Sequence, residues 1–157
     1  MTAKRALTVL PFAVLALAAA TLADAAAAPS ATAVIAAREA GFKKMGKAMK
    51  ALSEQLKSGA PSQKIMQDAA LVIAVTAPKQ GKLFPAGSGP APGVKTEALP
   101  AIWTNRAEFD AKMGALVTES AKLVAATKTG NAAAIGAQFK ATGATCGACH
   151  KQFREDT

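Results

Sequence analysis

The chain has 157 residues and a formal charge of +9, from 19 lysines and arginines against 10 acids, and 51% of its residues are hydrophobic. With two cysteines and one histidine in the whole chain, a protein-only zinc centre lacks its fourth ligand. Lys43, Lys44, Lys47, Lys50, Lys57 and Lys64 are scattered with no interleaved aromatics, which argues for solvated helix faces and against a nucleic-acid surface.

The first residues read as an export signal. Lys4 and Arg5 form a short basic region, Ala6 to Ala20 is apolar with only Thr8 polar, and Ala23-Asp24-Ala25 begins a zone of small residues. The apolar run is too short for a membrane span, and cleavage is expected within residues 25–28. That assigns residues 1–25 to the signal peptide and residues 29–157 to one domain of roughly 130 residues. Removing Lys4, Arg5 and Asp24 lowers the formal charge from +9 to +8. Such a chain is expected in the periplasm.

Four helices and no strand follow. Val34, Ile35, Arg38, Phe42, Met45, Met49 and Leu52 recur three and four apart, predicting a helix from Thr32 to Lys57 that stops at Ser58-Gly59-Ala60-Pro61. Ser62 can cap a second helix reaching Ala77, with Ile65, Met66, Ala69, Val72 and Ile73 inward and Pro78 as its stop. Glycines and prolines from Gly81 to Gly93 mark a long loop, which can also form a lid over a cofactor edge. A third helix is expected from Pro100 to Thr127, carrying Ile102, Trp103, Phe109, Met113, Leu116, Val117 and Leu123. After Thr129-Gly130-Asn131, with Asn131 as cap, the last helix should run from Ala132 to Arg154 and align Ile135, Phe139, Thr142, Cys146, Cys149, His150 and Phe153. The connections predict an all-α, up-down-up-down antiparallel four-helix bundle with a cofactor site between facing helices.

The chemistry concentrates in Cys146-Gly147-Ala148-Cys149-His150. C-x-x-C-H is the attachment signature of c-type haem: two thiols add to the vinyl groups and the adjacent imidazole meets the iron. A redox dithiol would be expected within a βαβ pattern, of which the sequence carries no sign. The cofactor expected is therefore one haem c, bound covalently through Cys146 and Cys149, with His150 as metal ligand. On the opposite face, no second histidine exists, and Met45, Met49, Met66 and Met113 are the available sulfur donors.

At this point the chain resembles the class II c-type cytochromes, specifically cytochrome c′. The resemblance rests on the terminal haem motif in an exported four-helix chain and on an ordered set of segments. These are Ala37-Arg38-Glu39-Ala40-Gly41-Phe42-Lys43, Leu83-Phe84-Pro85-Ala86-Gly87-Ser88, Ala101-Ile102-Trp103 and Cys149-His150-Lys151-Gln152-Phe153-Arg154. Six-coordinate relatives carry a methionine ligand four residues after the position matched by Arg38. Here that residue is Phe42, which has no lone pair to donate, so the resemblance implies the five-coordinate, high-spin branch. It further implies that Arg38 lies by a haem propionate, that Glu39, Thr96, Glu97 and Ala98 line the haem edge, and that Trp103 stands close to it. Arg154 matches a basic residue beside the proximal ligand; from spacing alone it is equally a helix-terminal charge.

Two functions compete on this reading. The first is a gas-binding haem protein that takes nitric oxide or carbon monoxide on the Phe42 side. The second is a plain electron carrier exchanging electrons with a redox partner protein. An enzyme is disfavoured, since no second histidine can act as distal base. Members of the family often pair as antiparallel homodimers through the first two helices.

Overall fold

The computed structural model describes residues 29–155, so the expected export signal lies outside the described residues. Helix α1 (Ala31–Lys57) starts where Ser30 accepts a hydrogen bond from Ala33 N at 3.2 Å. The expected stripe forms its inner face: Val34, Ile35, Arg38, Met45 and Leu52 are buried, while Phe42 and Met49 are partly buried against the core. Helix α2 (Gln63–Gln80) is capped by Ser62 as the sequence indicates, with Ile65 N donating to Ser62 Oγ at 3.4 Å.

The expected stop at Pro78 is not where α2 ends. The helix continues through Pro78 to Gln80 and tightens into a 3₁₀ turn over Gly81–Leu83. A proline this close to the helix end forgoes one hydrogen bond and crowds one carbonyl a turn back, while its fixed φ still suits the helix. The expected inward placement of Ile65 also fails, since that side chain is 45% exposed and the buried face is Met66, Ala69, Ala70, Ile73 and Ala77.

The third expected helix divides in two. A short α3 (Ala101–Thr104) and a long α4 (Arg106–Lys128) meet at Asn105, whose φ of −124° and ψ of 53° break the spiral. Asn105 Nδ2 reaches forward to Glu108 Oε2 at 2.7 Å, the local side-chain competition that makes asparagine a poor helix-interior residue. Arg106 then donates to Phe84 O at 3.0 Å and Gly81 O at 3.2 Å, tying the start of α4 to the end of α2. Helix α5 (Ala132–Phe153) is capped by Asn131, which accepts from Ala134 N at 3.0 Å. It stops one residue before the expected Arg154, which is extended.

The four long helices close a ring in which α1 packs on α2, α2 on α4, α4 on α5 and α5 on α1. This is the four-helix bundle that the short connections demand. Among the described residues there is no strand, only isolated bridges from Ala91 to Val94 and from Ala98 to Arg154. No helix among the described residues is long and apolar enough to cross a membrane.

Candidate functional site

The C-x-x-C-H motif occupies the last two turns of α5. Helical spacing puts Cys146, Cys149 and Phe153 on one face, and Phe153, 2% exposed, anchors that face in the core. Both cysteines are free, partly buried and packed against the core, while His150 is exposed. Burial pushes both thiols up; at Cys149 the Lys112 ammonium opposes the rise. Such thiols stay protonated near neutrality, unlike the activated thiolates of dithiol oxidoreductases. Partial desolvation lowers the pKa of His150, and Arg154 lowers it further against a smaller opposing pull from Glu97. A neutral imidazole is the form that binds metal.

Near the start of α1, Arg38 is only 2% exposed. Its Nη1 donates to Ser88 Oγ at 3.2 Å and its Nη2 to Thr96 Oγ1 at 2.5 Å, while its guanidinium carbon lies 4.7 Å from the centre of the Phe84 ring. Burial lowers the Arg38 pKa, with Glu39 acting weakly the other way from an exposed position. Hydroxyls and a ring face thus surround this buried cation, and no described carboxylate pairs with it. A group bearing carboxylates would satisfy the fork directly.

Phe84 is the hub that gathers the rest. Its ring centre lies 6.4 Å from Phe42, 6.1 Å from Trp103 and 4.8 Å from Phe109, which in turn lies 5.4 Å from Phe153. Trp103 is oriented by a hydrogen bond from its Nε1 to Pro85 O at 3.0 Å. A second cluster joins the loop to the end of α5: Leu99 N donates to Phe153 O at 3.0 Å and Glu155 N to Glu97 O at 2.8 Å. Glu97 Oε2 accepts from Arg154 Nε at 2.7 Å. Arg38, Phe42, Thr96 and Trp103 therefore meet around Phe84, and Glu97, Ala98 and Arg154 meet beside the haem motif. Glu39, the neighbour of Arg38, is exposed at the surface of α1. Arg154 caps α5 one turn beyond His150: its N–H donates to His150 O at 3.0 Å, its backbone then turns extended, and its side chain is tied to Glu97.

Phe84, Ser88 and Gln80 were not among the candidates drawn from the sequence. Phe84 could have been found as a bulky apolar residue inside a glycine- and proline-rich stretch. Ser88 and Gln80 carry no comparable signal, because nothing in their neighbours announces burial.

The donor set fits one prosthetic group well. Among the described residues no cluster of three or more His, Cys, Asp or Glu could hold a metal unaided. Two thiols and one imidazole on adjoining faces of a helix, near a buried arginine fork and an aromatic wall, match a metal that brings its own macrocycle and carboxylates.

The Cytochrome C′ family model matches residues 33–154. The chain is 37% identical over 109 residues to cytochrome c′ of Rhodospirillum rubrum, covering 69% of this chain and 72% of that one. Its structure superposes on the crystal structure of cytochrome c′ from Thermochromatium tepidum with a TM-score of 0.77 and 31% identity, over 82% of this chain and 98% of the other. The fold also matches a nitric oxide complex of a cytochrome c′ mutant from Alcaligenes xylosoxidans, with a TM-score of 0.73 and 23% identity, over 81% and 98% of the two chains. This is a c-type cytochrome fold with its attachment motif in place. The chain belongs to the cytochrome c′ family.

Proposed function

We propose that this protein is a periplasmic, five-coordinate cytochrome c′ that binds nitric oxide or carbon monoxide. Cys146 and Cys149 would hold one haem c through thioether bonds, and His150 would be the sole protein ligand to iron. When bound, the haem supplies an iron centre with one coordination position open to a small diatomic molecule. The observation that carries the reading is Phe42: it lies against the core one turn from Arg38, where a methionine would be needed for six-coordination, and it has no donor atom.

The chain's own residues do the rest. His150 presents a neutral imidazole, favoured by its lowered pKa. Arg38 is held by Ser88 and Thr96 with its fork ready for a propionate. Phe42 crowds the opposite side and limits which ligands enter. Glu97 and Arg154 clasp the loop to the end of α5, and Trp103 packs the loop against the aromatic cluster. The nitric oxide complex of the Alcaligenes protein supports this choice of ligand, because the same bundle accommodates it there. The basic and apolar stretches at the N-terminus support export. On α2, Ile65, Leu71 and Val75 are 45%, 52% and 48% exposed, which supports pairing of two copies through that helix.

The test is the optical spectrum of the reduced protein before and after nitric oxide is added. The expected result is a high-spin reduced spectrum that changes on addition of the gas. A sharp low-spin spectrum, unchanged by nitric oxide, would identify a plain electron carrier with a methionine ligand instead.

A further inference from the structure

The described part of the molecule contains one buried side-chain atom without a hydrogen-bond partner, Gln80 Oε1. Gln80 is 3% exposed, and its Nε2 makes no hydrogen bond to any described residue either. A buried amide oxygen left unpaired costs about 1–3 kcal/mol, so Gln80 Oε1 is an expensive feature to keep in a core.

Space has been made for it. The carboxamide lies directly over Gly41 of α1: a Cβ there would collide with Gln80 Nε2 and come within 2.6 Å of Cδ and 2.8 Å of Oε1. Glycine in a helix interior is itself unfavourable by about 1 kcal/mol relative to alanine. Two costs therefore converge on one spot, which is the residue next to Phe42 and one turn from Arg38. With no internal partner, the amide can turn by half without losing a hydrogen bond and offer its NH₂ to an acceptor.

We propose that Gln80 is a ligand-sensing residue of the gas site: its amide donates a hydrogen bond to a small ligand held beside Phe42. The site is then polar on its α2 side and aromatic on its α1 side. This selects for diatomic molecules that can accept a hydrogen bond. The inference rests on the gas-binding reading above.

Carbon monoxide is the probe, bound to the reduced, haem-loaded protein and to its Gln80→Leu and Gly41→Ala variants. The infrared C–O stretch reports the donor directly, and the dissociation rate reports its strength. In Gln80→Leu the stretch should rise in frequency and carbon monoxide should leave about fivefold faster, the factor that one ordinary hydrogen bond represents. Gly41→Ala should move both in the same direction, because its Cβ displaces the amide while leaving Gln80 present. If carbon monoxide binds all three proteins with the same stretch and the same rate, the Gln80 inference is overturned and the gas-binding reading stands. If the parent protein forms no carbon monoxide adduct at all, both fall together.

Discussion

Where α2 begins and α4 stops, Leu52, Leu123 and Ile135 are fully enclosed, and Gln63 Nε2 donates to the carbonyls of Thr127 and Lys128 at 3.2 Å each. At the opposite end, where α2 stops and α5 finishes, the buried residues include the Arg38 cation and the unpaired Gln80 amide, wrapped by a long loop around an aromatic cluster. The first end is satisfied by the chain alone. The second holds groups whose charge and hydrogen-bonding capacity the chain does not match, at the end of the bundle where α5 finishes with the C-x-x-C-H motif. On the proposed reading, a bundle built in this way is closed at one end by packing and at the other by its prosthetic group.

The largest expected effect comes from removing that group. A Cys146→Ser/Cys149→Ser double variant should lack haem, retain far-ultraviolet helicity and lose cooperative melting, as a loose helical ensemble does. A sharp melt near the temperature of the haem-loaded protein would mean that both ends are self-sufficient. Next in size is Leu123→Ala in the haem-loaded protein. It opens a cavity at the closed end and should cost about 2–5 kcal/mol in denaturant unfolding without altering the optical spectrum.

Arg38→Met sharpens the contrast by changing sign. In the haem-loaded protein it should destabilise by about 1–3 kcal/mol, since a propionate loses its partner. In the haem-free double variant it should leave helicity unchanged or raise it, because an uncompensated buried cation is removed. Equal loss in both forms would show that Arg38 serves Ser88 and Thr96 rather than the haem. The smallest effect belongs to Glu97→Gln. Its ion pair with Arg154 is partly exposed, so unfolding should shift by less than about 1 kcal/mol, and by less still at high salt. The backbone bonds at Glu97 and Leu99 hold the loop in its absence.

The helices were legible because their signals are local. Ser62 and Asn131 cap as their sequence context indicates, and the three-and-four spacing separates buried from exposed residues in α1; in α5 it finds Ile135, Thr142 and Phe153 but not the exposure of His150. The haem motif was legible for the same reason, being five consecutive residues. What escaped depends on contacts distant in sequence. Pro78 was expected to end α2, but Arg106 reaches back to Gly81 and Phe84 and stabilises the chain just beyond it. The break at Asn105 depends on one side chain finding Glu108, and outward Ile65 cannot be told from inward Met66 by hydrophobicity alone. Phe84, Ser88 and Thr96 converge on Arg38 from 46 to 58 residues away, a separation that no local pattern encodes. The resemblance to a family brought Arg38, Thr96 and Trp103 into view; the structure adds that Phe84 joins them.

Everything at the second end turns on the proposed haem, joined covalently to α5, and intact mass spectrometry under denaturing conditions tests that attachment most directly. For protein made in cells competent in haem attachment, the predicted result is a single species carrying the polypeptide plus one haem, its cleavage within residues 25–28. A mass equal to the bare polypeptide would contradict the account.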